Sequence, residues 1–132
     1  MYITYAQING ILKDRIEDSM QPPHQLNQPS ALEKAFHHDM LQIYQRAKEE
    51  CGYNATRFLQ MVANDGGFKT AQKLLATATP SDGFVELWEN RRLDLSMENL
   101  VLNPKYRSLF SQQEIETAKE RLNAYGFTPQ EE

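Results

Sequence analysis

The chain has 132 residues and a formal charge of −4, from 14 basic and 18 acidic side chains. That length suits one domain with one core and is too short for two. Hydrophobic residues at 40% and charged residues at 24% exclude a membrane-protein or disordered-tail composition, and one cysteine, Cys51, excludes an intramolecular disulfide or a cysteine metal cluster.

Leucine outnumbers valine 14 to 3, and glutamine appears 11 times. Leucine loses little rotamer freedom in a helix, whereas β-branched side chains favour strands, so the composition predicts an all-α protein. Met1 to Leu12 holds no long apolar run, and no stretch approaches the roughly 18–20 apolar residues of a spanning helix. The expectation is a cytoplasmic protein without membrane contact. Charge is uneven: −2 over residues 1–51, +1 over 52–109 and −3 over 110–132. Only the centre could face a polyanion unaided.

Thr4 to Met20 predicts a helix, with Tyr5, Ile8, Ile11 or Leu12 and Ile16 recurring every three to four residues. Gln21 to Pro29 carries three prolines in nine residues and predicts a linker, because proline lacks the N–H and clashes with the preceding turn. The expected organisation is an N-terminal helix or arm over 1–20, a linker over 21–29, a helical domain over 30–126 and a frayed tail over 127–132.

Ser30-Ala-Leu-Glu33 reads as a capping box opening a helix with Phe36, Met40, Ile43, Tyr44 and Ala47 on one stripe and Gly52 as its stop. Asn54 is expected to cap a second helix, with Phe58, Leu59, Met61 and Val62 inward and Asp65-Gly66-Gly67 ending it. Phe68 to Ala76 should bury Phe68, Ala71, Leu74 and Leu75. Thr79-Pro80-Ser81-Asp82-Gly83 reads as a turn and a cap, followed by a short helix carrying Phe84, Val85, Leu87 and Trp88. Ser96 caps Met97 to Leu102, and Asn103-Pro104 opens another short helix with proline at its first position. Ser111-Gln-Gln-Glu114 is a second capping box, followed by the stripe Ile115, Ala118, Leu122 and Tyr125 and by Gly126 as the stop. The sum is a compact orthogonal bundle of about seven short helices.

No motif points to chemistry. His37 and His38 are adjacent, so they point about 100° apart around a helix and share no metal face; they read as exposed polar positions, and no metal or cofactor is expected. Cys51 lies at a helix C-terminus beside Glu49 and Glu50, a setting that opposes a thiolate nucleophile. Asp82, Glu86, Glu89, Asp94 and Glu98 cluster near Arg91 and Arg92, which reads as a solvated face with ion pairs rather than as acid–base machinery. Asn54 to Ala76 invites a helix-turn-helix reading that would present Lys69 and Lys73 to nucleic acid with help from Arg57. Neither glycine aligns as the turn residue without burying a polar side chain, so a plain helical hairpin is the better reading. Trp88 with Arg91 and Arg92 combines the residue types richest in interface hot spots.

The runs Phe36 to Lys48, Gly52 to Met61, Gly66-Gly67, Ser81-Asp82-Gly83, Leu87-Trp88-Glu89 and Arg92 to Leu95 resemble an uncharacterised family of small bacterial proteins, stand-alone or attached to nuclease-type or restriction-type proteins. The likeness spans roughly residues 31–125. It implies a bacterial or phage setting and a link to nucleic-acid processing or defence, and it carries no catalytic residue.

The expected function is therefore a non-catalytic module for a protein partner or self-association, with Tyr53, Asn54, Arg57, Trp88, Arg91 and Arg92 as its surface. The alternative is a nucleic-acid-binding accessory using Arg57, Lys69, Lys73, Arg91 and Arg92. A small hydrolase built on Asp82, Glu86, Glu89 or Asp94 is a third reading that no metal or nucleophile motif supports.

Overall fold

The computed structural model describes residues 29–129. The predicted helix from Thr4 to Met20 and the linker up to residue 28 lie outside them, as do the last three residues. The described residues are all-helical, with no strand among them. Six α-helices run in order: α1 (Ala31–Cys51), α2 (Thr56–Asp65), α3 (Gly67–Leu75), α4 (Asp82–Glu89), α5 (Met97–Val101) and α6 (Gln112–Ala124). Two 3-10 helices, Leu93–Leu95 and Pro104–Leu109, join the later elements.

Local signals set most boundaries. The hydroxyls of Ser81, Ser96 and Ser111 accept from the N–H groups of Phe84, Asn99 and Glu114, so each serine caps the helix that follows it. Ser111 and Glu114 close the reciprocal capping box. Asn103 caps the second 3-10 helix, whose first residue is Pro104.

Helix α1 is the spine, touching α2, α3, α5 and both 3-10 helices. It buries Phe36, Met40 and Ala47, while Ile43 and Tyr44 are half-buried. Phe36 meets the ring of Tyr106 edge-on at 5.1 Å and that of Phe110 at 5.3 Å, and Phe68 tilts onto Phe110 at 5.4 Å. These contacts pin the start of α1 to the second 3-10 helix. Tyr106 donates its hydroxyl to Asp39 at 2.5 Å, and burial followed by that carboxylate pushes the phenol well above its ordinary range.

Helices α1 and α3 approach closely through Gly67. A Cβ there would stand 2.7 Å from the Cα of His37. His37 is consequently structural rather than an exposed polar position: its Nδ1 accepts the Gly67 N–H at 3.0 Å, which satisfies one of the free donors at the start of α3. His38 is exposed.

Other sequence expectations shift in detail. Asn54 does not cap α2, because its side-chain oxygen is taken by the Tyr44 hydroxyl at 2.7 Å and the N-cap position falls to Ala55. In α3, Phe68 and Leu74 are only half-buried, and Thr70 takes a fully buried place instead. The tail is not frayed at its start: the Phe127 N–H donates to Leu122 and its ring packs on the core.

Candidate functional site

Trp88 is the only large hydrophobic side chain that is exposed among the described residues, at 44%. It is not loose. Its indole meets the Tyr125 ring edge-on at 5.2 Å, and Phe84, one turn earlier on α4, meets the same ring at 5.0 Å. The run Phe84–Tyr125–Trp88 thus passes from the core to the surface and packs the indole on one side while leaving it partly exposed.

The turn after α4 presents Arg91 beside it. The Arg92 N–H donates to Leu87 and the Arg91 N–H to Trp88, at 2.8 and 2.9 Å. This is the Schellman arrangement, whose left-handed position usually belongs to glycine. Here that position is Arg91, at φ 60°, the one non-glycine residue with positive φ among those described. Helix α6 ends with the same bond pattern and has Gly126 there, at φ 82°. Arg91 is exposed, and its left-handed backbone stores about 1–2 kcal/mol of strain. Neighbouring Arg92 is engaged, reaching Glu50 at 2.8 Å and Asp94 at 3.0 Å. Asp94 first, then Glu50, hold it firmly in its charged form.

The six residues expected to form one surface are therefore divided. Tyr53 meets α4 at Gly83, within 3.6 Å of where a Cβ would stand, whereas Trp88 faces Tyr125. Burial, then Glu86 and Asp82, raise the Tyr53 phenol above its usual range. Asn54 is tied to Tyr44 and Arg92 to two carboxylates. Trp88 and Arg91, three residues apart at the end of α4, are both exposed.

Of the basic residues proposed for nucleic acid, Lys73 is bound by Asp65 at 2.9 Å and Arg92 is engaged as described. Arg57, Lys69 and Arg91 are exposed. The joint between α2 and α3 is the single residue Gly66 at φ 88°, shorter than the three- or four-residue turn of a helix-turn-helix.

The acidic cluster also separates. Asp82, Glu89 and Asp94 are exposed, Glu86 is half-buried, and Glu98 is 2% exposed. Glu98 accepts from Arg121 at 3.1 Å. Sequence reasoning missed this pair, since Arg121 lies 23 residues away within a stripe that reads as surface. Arg121 also donates to the carbonyls of Leu74 and Thr77, at 3.0 and 2.7 Å, and so anchors the end of α3 to α6. Burial pushes the Glu98 carboxyl up from its ordinary range, and Arg121 only partly opposes this.

A cavity of about 480 Å³ opens between α1, α2, the end of α3 and the start of α4. Ala47, Phe84 and Leu87 are among its buried apolar walls, and Tyr53, Arg57 and Lys73 lie on its lining.

Among the described residues, no group of three histidine, cysteine or acidic side chains could hold a metal ion, and no helix is long and apolar enough to cross a membrane. Comparison with family models, with curated proteins and with solved structures returned no match.

Proposed function

We propose that this chain is a non-catalytic helical module that binds a protein partner through Trp88 and Arg91. The observation that carries the reading is a packed, partly exposed indole three residues from an arginine held in a strained backbone conformation. Tryptophan and arginine are among the residue types most enriched in interface hot spots. Backbone strain at a non-glycine residue clusters at functional positions. The partner surface complementary to this patch is an apolar pocket edged by a carboxylate. A family likeness of residues 31–125 to small bacterial proteins, stand-alone or attached to nuclease-type or restriction-type proteins, would place that partner in defence or nucleic-acid processing.

The nucleic-acid reading has less support. Two of its five basic residues are neutralised within the fold, and phosphate affinity scales with the number of free cations. Photo-crosslinking decides between the readings. A photoreactive phenylalanine analogue is placed at Trp88 in one preparation and at Lys69 in another, and both are irradiated in the native host. Protein adducts from position 88 and not from 69 are expected. Nucleic-acid adducts from position 69, with none from 88, would overturn the proposal.

A further inference from the structure

The cavity beside α1, α2 and α4 is separate from the Trp88 patch, and its volume of about 480 Å³ lies within the range that holds small molecules. Ala47, Phe84, Leu87, Leu95 and Met97 give it a buried apolar floor. Phe58 and Met61 add half-buried apolar walls.

Charge on the lining is balanced. Lys73 is held by Asp65, and Glu98 by Arg121. That leaves one cation, Arg57, and one anion, Asp82; both are exposed, and neither pairs with a described residue. One unpaired charge of each sign favours neither an anionic nor a cationic ligand.

Most hydroxyls of the lining are committed too. Tyr44 donates to Asn54, Thr77 to the carbonyls of Leu74 and Thr79, and Ser96 to that of Leu93, while Ser81 accepts from the Phe84 N–H. Of the other two, Thr79 is exposed and Tyr53 is half-buried. The Tyr53 hydroxyl stands 3.6 Å from where a Gly83 Cβ would be and makes no hydrogen bond with any described residue. Water is a poor filler of such a space, since an ordered water needs about 2–4 polar partners and the lining side chains offer one free group away from the open solvent.

We propose that this cavity binds a neutral, mainly apolar small molecule, its body on the Phe84–Leu87–Leu95 floor and a single acceptor atom on the Tyr53 hydroxyl. Apolar walls supply the affinity, and one hydrogen bond sets the orientation.

Fluorescence titration of the full chain with prodan tests this. Prodan is a neutral naphthalene that carries a ketone, and its emission shifts to the blue in apolar surroundings. The controls are 2-dimethylaminonaphthalene, which lacks the ketone, and anilinonaphthalene sulfonate, an anion. Saturable one-to-one binding of prodan is expected, at least about threefold tighter than that of the ketone-free analogue. The anion should bind no more tightly than prodan. Tyr53→Phe should erase the advantage of the ketone and leave the analogue's affinity within about twofold. Ala47→Phe, which sets a ring into the floor, should weaken both neutral ligands at least about tenfold. Thermal melting checks the fold of that variant, and Tyr53→Phe, the loss of one hydroxyl, decides the matter if Ala47→Phe is unfolded. No saturable binding, tighter binding of the anion, a ketone advantage that survives Tyr53→Phe, or prodan affinity indifferent to a folded Ala47→Phe would overturn the proposal.

Discussion

Arg91→Gly should make the protein more stable. Arg91 occupies the left-handed position of the turn after α4, at φ 60°. An L-residue pays about 1–2 kcal/mol there, from the clash of its Cβ with the following carbonyl. Glycine removes that cost and adds about 0.5–1 kcal/mol of unfolded-chain entropy. The net gain is about 0.5–1 kcal/mol, which raises the melting temperature of a domain near 100 residues by about 2–8 °C. The end of α6 supplies the reverse experiment. Gly126 has the same bond pattern at φ 82°, and nothing stands within 4 Å of its Cβ position, so Gly126→Ala tests conformation without packing. It should lose about 1 kcal/mol. Thermal and urea unfolding followed by circular dichroism reads both. A less stable Arg91→Gly alongside a destabilised Gly126→Ala would refute the reasoning, since it would mean that the Arg91 side chain stabilises the fold by more than its backbone costs.

Three further outcomes follow from buried contacts. Arg121→Ala should cost about 3–5 kcal/mol in urea unfolding, because it strands the Glu98 carboxylate and removes the donors to Leu74 and Thr77; a loss below about 1 kcal/mol would contradict this. Glu98 has its carboxyl raised in the folded state, so the folded chain binds that proton more tightly than the unfolded chain. Its contribution is therefore full below the ordinary glutamate range and is lost as pH rises through the folded-state value. Glu98→Gln should flatten the stability profile in that window, and an unchanged slope would show that another group sets it. Gly67→Ala should cost about 1–3 kcal/mol, since its methyl meets the α1 backbone at His37; a neutral result in the same unfolding assay would mean that α1 and α3 separate easily.

What the sequence reveals here depends on how far apart the interacting residues lie. Ser81, Ser96 and Ser111 cap helices whose donors are three residues away, so local pattern suffices. The stripe Phe36–Met40–Ala47 is a helical repeat and is equally readable. His37 and Gly67 are 30 residues apart, and Glu98 and Arg121 are 23 apart. Nothing near either residue announces the other. Asn54 misleads for the same reason: its type suits a cap, but Tyr44 reaches it first. Trp88 with Arg91 and Arg92 stands out in the sequence by residue type alone. Arg91's strained backbone does not, because the turn carries Asn90-Arg91 where a glycine would have marked it. The cavity draws its lining from α1 through α5 and the first 3-10 helix, and leaves no trace in any one segment.

The central claim is that Trp88 and Arg91, rather than the basic residues of α2 and α3, contact the partner. The most direct measurement is the affinity of the partner captured at position 88 for two variants. Trp88→Ala should weaken binding by at least about 30-fold, the loss of a hot-spot side chain. Replacement of Arg57, Lys69 and Lys73 together by glutamine should leave affinity within about threefold, as expected for residues outside the contact. Retained affinity in Trp88→Ala, with binding lost in the triple variant, would contradict the account.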